Sequence, residues 1–325
     1  MPHTPVSQLR NGLTLQKDVY LLREKSVRAM RSGGLMLSAT LADKGGSVAG
    51  VMFDISGPLA DSLRTGAGVE VSGQVGEYRG QLQVKLDRIR AVEIVDYEAY
   101  LPMARRSLDE MEAELQALIA SIERPDLARL LSAVFDDGDI ARRFTRAPAA
   151  KLNHHACIGG LLEHSLSVAR LVGTATDLYP EMDGDLAISV ALLHDIGKMG
   201  SYEATSFEIT EEGALWGHVY AGSELVQRKI DGLAGFDPEL RRRIVHAILA
   251  HHGRLEAGSP VVPMTLEAMV VHHADHLDGD VRGAIDHMER DGGSGVFTER
   301  SFMHDTRLYR GGETPSGPPK QGALL

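Results

Sequence analysis

Ala191-Leu192-Leu193-His194-Asp195-Ile196-Gly197-Lys198 is the stretch on which the reading of this chain turns. An apolar run leads into a histidine and an aspartate with nothing between them, and a glycine and a lysine close the segment. The pattern from Asp183 to Lys198 reads as a helix, which places the His-Asp pair at its end. A charged carboxylate beside an apolar run is costly to bury without a partner. A carboxylate directly after a histidine can bridge two metal ions while the histidine binds one of them. A lone dipeptide arises by chance, so its company decides.

Moving outward, twelve of the 14 histidines lie between His154 and His287. They sit at the ends of helical stretches, beside acidic and small residues. The ordered set is His164, His194-Asp195, His218, His251-His252 and Asp275. Imidazole and carboxylate donors suit borderline and hard divalent ions such as Mn²⁺, Fe²⁺, Co²⁺ or Zn²⁺. Ligands spread over several helices are a feature of sites inside helical bundles. Leu108, Met111, Leu115, Leu118, Ile119 and Ile122 recur at helical spacing, and Pro125 opens a further helix. Leu215 to Ile230, Pro238 to Ala250 and Pro263 to Leu277 read as helices as well.

The motif and its surroundings resemble the HD phosphohydrolase superfamily, whose pattern H…HD…D is matched by His164, His194-Asp195 and Asp275. Its two-metal members add two histidines, which His218 and His251 would supply. Flanking segments narrow the resemblance to the YhaM-type bacterial 3′-to-5′ exoribonucleases. They are His154-His155-Ala156, Gly159-Gly160-Leu161-Leu162-Glu163-His164, Glu212-Gly213-Ala214-Leu215-Trp216-Gly217-His218, His251-His252-Gly253 and His273-Ala274-Asp275-His276-Leu277-Asp278. That family joins an N-terminal OB module to a C-terminal HD domain. The resemblance implies that His164, His194, Asp195 and Asp275 hold one metal, and that His218 and His251 hold a second bridged by Asp195. His252 is a candidate ligand or substrate contact. Lys198 is expected to neutralise charge at the phosphate; the competing reading is a helix-end lysine set against the helix dipole. Glu163 reads as an exposed or supporting helix residue rather than a ligand. His272, His273 and His276 read as supporting or core histidines.

The N-terminal texture differs. Gly34 to Leu41, Ser47 to Asp54, Gly68 to Val75 and Gln81 to Leu86 are short β-rich runs punctuated by glycine, and Asp43-Lys44-Gly45-Gly46 is a hairpin turn. About five strands in about 85 residues suit a small closed barrel. Tyr20 to Lys25 and Leu37 to Lys44 resemble the OB module of the same family. The expected fold is therefore multidomain: a small all-β OB barrel followed by an all-α HD-type helical domain. The divisions are 1–95 OB domain, 96–124 helical linker, 125–305 HD domain and 306–325 C-terminal tail.

Charge follows the same division. Residues 1–95 hold 12 Lys/Arg against 9 Asp/Glu, while 96–325 hold 22 against 36, within a net charge of −11. An acidic region can still meet phosphates when bound divalent ions reverse the local field. Arg23, Lys25, Arg28 and Arg31 are candidate contacts to a nucleic-acid backbone. His154, His155, Gly159 and Gly160 are candidate phosphate contacts ahead of a helix; the competing readings are capping or packing for the histidines and a plain turn for the glycines. Aromatics are scarce here, with only Tyr20, Phe53 and Tyr78 in residues 1–95. The single cysteine, Cys157, excludes an intramolecular disulfide. It fits a reducing cytoplasm, the expected location. No apolar run is long enough for a membrane span.

The expected reaction, on the strength of the resemblance, is metal-dependent hydrolysis of single-stranded RNA from its 3′ end, with DNA a further substrate and two divalent ions, chiefly Mn²⁺, as cofactors. A homo-oligomer is compatible with it. The alternatives are an HD phosphohydrolase of a small nucleotide or cyclic dinucleotide, and a non-catalytic nucleic-acid-binding adaptor. The sequence lacks a Gly-Tyr-Pro motif after His251-His252, which weighs against the cyclic-dinucleotide alternative.

Overall fold

The computed structural model describes residues 3–31, 33–94, 99–151, 155–291, 293 and 295–311. Five strands close into a barrel in the order β1-β2-β3-β5-β4: β1 Thr14–Ala29, β2 Leu35–Asp43, β3 Gly46–Phe53, β4 Gly68–Tyr78 and β5 Gln81–Val92. Closure depends on the length of β1. Its second half pairs with β2 from Leu21 to Ala29, and its first half pairs with β4 from Thr14 to Leu21. Register shifts between Leu15 and Asp18 and between Leu22 and Glu24 bend it around the corner. A short parallel pairing of β3 with β5, through Ala49–Val51, completes the ring. This is the OB topology. The β2–β3 turn falls at Asp43–Gly46, as the turn residues predict.

Alternation fills the barrel. Leu15, Tyr20, Leu22, Leu37, Leu41, Val69, Val71 and Val84 form one apolar cluster. The Tyr20 hydroxyl donates to Thr4 O at 2.6 Å, so that aromatic is core and not a stacking surface. A second, small cluster joins Val19 and Leu21 of β1 to Leu101, Ile158 and Phe207, and so docks the barrel on the helical domain.

The remaining elements are helical. After the short α1 (Gly57–Ser62) inside the barrel segment come α2 Leu108–Ala120, α3 Pro125–Phe135, α4 Gly138–Arg146, α5 Gly160–Leu178 and α6 Gly184–Leu193. They are followed by α7 Lys198–Ser201, α8 Glu211–Trp216, α9 His218–Asp231, α10 Pro238–Ala250 and α11 Leu266–Arg290. Helix α6 is the hub. Asp183 caps it by accepting from Leu186 N at 3.1 Å, and its apolar residues are buried on all sides by neighbouring helices. Leu127, Leu130 and Leu131 of α3 and Ile244 and Ile248 of α10 are equally inaccessible. Truncating one such leucine to alanine costs about 2–5 kcal/mol.

Three boundaries differ from those expected. Residues 96–124 are not merely a linker, because α2 seats Met111 and Leu115 in the helical core. The stretch Asp183 to Lys198 is not one helix: α6 stops at Leu193, and His194 to Gly197 form a turn closed by Lys198 N donating to Asp195 O at 2.8 Å. A Cβ on Gly197 would lie 2.1 Å from His218 O, so the turn can press against α9 only with glycine there. Finally, β6 (Phe297–Ser301) and β7 (Thr306–Tyr309) form a hairpin that crosses the expected tail boundary at residue 306. His287 Nε2 on α11 bonds Glu299 O at 3.0 Å and fastens the hairpin to that helix.

Candidate metal centre

Five elements deliver the predicted ligands to one point. His164 lies inside α5, His194 and Asp195 just past the end of α6, His218 at the first position of α9, His251-His252 at the end of α10, and Asp275 within α11. The α8–α9 junction breaks at Gly217 (φ 73°), which is why the expected helix from Leu215 to Ile230 is split and His218 begins a new one.

Asp195 is the centre, and its two oxygens face different partners. On the Oδ2 side lie His164 Nε2 and His194 Nε2, each at 3.4 Å, and Lys198 Nζ at 2.6 Å. Asp275 Oδ1 closes this side at 3.1 Å from His164 Nε2. On the Oδ1 side lie His218 Nε2 at 3.4 Å and His251 Nε2 at 3.5 Å. His252 joins them, its Nε2 at 3.2 Å from that of His218. The donors thus fall into two groups, His164/His194/Asp195/Asp275 and His218/His251/His252, each tight enough to surround one ion.

The hydrogen bonds behind the rings fix which nitrogen faces inward. His194 Nδ1 lies 2.8 Å from Ala191 O, His251 Nδ1 2.6 Å from Ile248 O, and His252 Nδ1 2.8 Å from Ala257 O. His164 Nδ1 lies 2.7 Å from Asp278 Oδ2. With an acceptor at Nδ1 the proton belongs on Nδ1, an assignment inferred from the partners, and Nε2 turns a lone pair toward the centre. His164 and His194 then oppose their Nε2 lone pairs at 3.3 Å, and the Nε2 atoms of His218 and His252 lie 3.2 Å apart. Such opposed lone pairs repel unless a cation lies between them. Asp195 Oδ1 and His251 Nε2 are also buried without a hydrogen-bond partner among the described residues. The donor set fits divalent metal on both sides.

Electrostatics divide the ligands: against burial, which would lower both, Asp195, Asp275 and Asp278 raise His164 well above the ordinary histidine value, and Asp195 and Asp275 raise His251. Burial alone would raise the pKa of Asp195, but Lys198 and His194 hold it well below the usual carboxylate value. Burial drives His218 well below the ordinary histidine value. It brings His252 down to about 4, with His251 adding to the effect. Neutral imidazole and ionised carboxylate are the forms that bind metal.

Other expectations fare differently. Gly159 and Gly160 do not offer free amides to an anion, since Gly159 N donates to Arg146 O and Gly160 N to Cys157 O at 3.0 Å. Their smallness serves packing instead: a Cβ on Gly160 would lie 2.0 Å from His155 O. His155 is no phosphate contact either. It is buried, with Nε2 3.0 Å from Asp278 Oδ2 and Nδ1 3.1 Å from Glu163 Oε2. His154 lies outside the described residues. Lys25 donates to Ala60 O and Leu63 O at the end of α1, which ties it to the barrel and takes it away from a phosphate track. Arg28 and Arg31 are exposed, and Arg23 lines a cleft of about 420 Å³ with Lys44, Arg105 and Arg282 between barrel and helices. Of the α11 histidines, His272 supports the site through His251 O at 2.8 Å, whereas His273 and His276 are exposed. Sequence reasoning passed over Asp278. Its signal was its place one turn beyond Asp275, on the same helix face.

An OB barrel joined to a helical domain whose two histidine-rich groups share one aspartate defines an HD-domain protein with a nucleic-acid-binding-type module. Comparison agrees: the HD domain model matches residues 161–280, and the OB-fold nucleic acid binding domain model matches 23–92. The chain is 31% identical to 3′-5′ exoribonuclease YhaM of Geobacillus sp. (strain WCH70), over 90% of its own length and 91% of the relative's. It is 32% identical to that of Bacillus subtilis (strain 168), over 90% and 94%. The chain belongs to the YhaM family.

Proposed function

We propose that this protein is a metal-dependent exoribonuclease that shortens single-stranded RNA from its 3′ end and releases nucleoside 5′-monophosphates. The observation that carries the chemistry is the division of Asp195 between two histidine groups, with Oδ2 facing His164 and His194 and Oδ1 facing His218 and His251. The polarity and the RNA substrate come from the family.

In this reading His164, His194, Asp195 and Asp275 hold one divalent ion. His218, His251 and His252 would hold the second. Divalent cations, Mn²⁺ foremost, supply Lewis-acid activation of water and of the phosphodiester. The chain's own residues do the rest. Carbonyls at His194, His251 and His252 keep each ring in one tautomer. Lys198 keeps a cation 2.6 Å from Asp195 Oδ2, where negative charge grows on the phosphoryl oxygens. The apolar wall of α6 excludes bulk water behind the site, so these charges act at low dielectric. The barrel presents the strand.

Purified protein with Mn²⁺ and RNA labelled at either end tests this. Label at the 3′ end should leave at once as mononucleotide, while 5′-labelled RNA shortens progressively; His194→Ala should stop both. Turnover of a free nucleotide with no RNA shortening would overturn the RNA reading and leave the metal site standing.

A further inference from the structure

Among the candidate metal ligands, His194, His251 and His252 each hold Nδ1 against a backbone carbonyl. His164 alone uses a carboxylate, Asp278 Oδ2 at 2.7 Å. That carboxylate is itself held. Its Oδ2 lies 3.0 Å from His155 Nε2, and His155 Nδ1 lies 3.1 Å from Glu163 Oε2. Glu163, His155 and His164 are all buried, and Asp278 lies within the same cluster. The polar file Glu163–His155–Asp278–His164 therefore crosses the domain interior and ends on a ring that faces Asp195 and Asp275.

The backbone is arranged to keep this file in place. His155 has φ 56°, a conformation that non-glycine residues rarely adopt. Its carbonyl accepts from Ala149 N at 3.1 Å and Cys157 N at 2.9 Å, and it presses on Gly160 at the start of α5. A strained residue so pinned invites a functional explanation. The file has its own ends and does not touch the Oδ1 side of Asp195.

We propose that Asp278, backed by His155 and Glu163, is a positioning device for His164: it fixes that ring's tautomer and plane and strengthens Nε2 as a donor to a divalent ion. A carboxylate behind an imidazole makes a charge-assisted hydrogen bond and a more basic ligand than a carbonyl does. The two sides of Asp195 thus differ in kind. The His164 side is the firmer one, since His251 and His252 on the other side are backed by carbonyls. This inference rests on the reading of the site as a metal centre.

The test is calorimetric titration of the full-length chain with Mn²⁺, beside its thermal melt. Wild type is expected to take up Mn²⁺ in two events. Asp278→Asn should weaken one event by about 10–100-fold and leave the other unchanged. Glu163→Gln, one link further from the ion, should weaken the same event by less, about threefold. A purely structural role would instead lower the melting temperature and blunt both events together. If Asp278→Asn does not fold, Glu163→Gln decides alone. Folded variants that bind Mn²⁺ as wild type does would overturn the positioning role while the metal centre stands. A wild-type chain that takes up no Mn²⁺ would overturn the metal centre itself.

Discussion

The barrel and the helical domain bury polar groups to opposite ends. In the barrel the buried carboxylates serve backbone: Asp18 accepts from Thr4 N and Gln16 N at 2.7 and 2.8 Å, and Asp43 from Val6 N and Gly45 N, both at 2.7 Å. Both hold the chain's own amides, and Asp43 Oδ2 also lies 2.9 Å from His3 Nε2. In the helical domain Asp195 Oδ1 and His251 Nε2 are buried with no hydrogen-bond partner among the described residues. An unpaired buried polar atom costs about 1–3 kcal/mol. The first pattern is that of a scaffold and the second that of a metal-binding donor set. The unpaired donors are thus concentrated in one region, the helical domain.

The widest break in that division would come from Asp195→Ala. It removes the one residue common to both histidine groups, so RNA hydrolysis should fall by at least about 10³-fold, because metal-centred stabilisation is worth several kcal/mol. RNA affinity in a filter or anisotropy assay should hardly change. Parallel loss of affinity would mean that the helical domain, and not the barrel, grips the strand.

Cys157 reports on whether the two regions stay docked. It lines the cleft that Arg23 and Lys44 of the barrel share with Arg105 and Arg282 of the helical side. Burial pushes its thiol up to about 12, with Glu163 and Asp286 adding to the effect. Only the thiolate reacts, so at pH 8 alkylation by iodoacetamide should run on the order of 10³-fold slower in the native protein than in denaturant. Fast native labelling would show that the seam opens. Lys198→Ala should cost less, roughly 10²-fold in kcat with Mn²⁺ affinity kept, as expected for the loss of one charge aimed at the phosphoryl group.

The two regions were also legible to different depths. The barrel's strands and its Asp43–Gly46 turn follow from alternation and turn chemistry, both of them local rules. The ligand set was legible because histidine and aspartate have few reasons to gather at helix ends. What stayed hidden depended on contacts between distant segments. His155 reads as a phosphate contact or a packing residue until the fold sets Asp278, 123 positions later, against it. Gly159-Gly160 reads as a plain turn or an anion cradle until its amides are seen to be occupied. Lys25 looks like a free cation until the end of α1 comes to meet it. Helix α2 looked like a linker because periodicity alone does not say which core a helix joins.

The smallest expected effect concerns the barrel's own contribution. With Tyr20 buried, Phe53 and Tyr78 are the aromatics of residues 1–95 left exposed, and the Arg79 guanidinium lies 5.3 Å from the Tyr78 ring centre. One stacked base is worth about 1–3 kcal/mol, so a barrel with a rich stacking face would lose orders of magnitude when stripped. This barrel has little to strip. Replacing both Phe53 and Tyr78 by alanine should weaken binding of single-stranded RNA by about tenfold, near the lower end of what one stacked base is worth. The change should appear in KM and not in kcat. Hydrolysis of bis(p-nitrophenyl) phosphate, which needs no strand, should be unaffected. A much larger loss would make these two rings the main grip on the strand. A fall in turnover of the small ester would carry the barrel's influence into the metal centre and erase the division between the two regions.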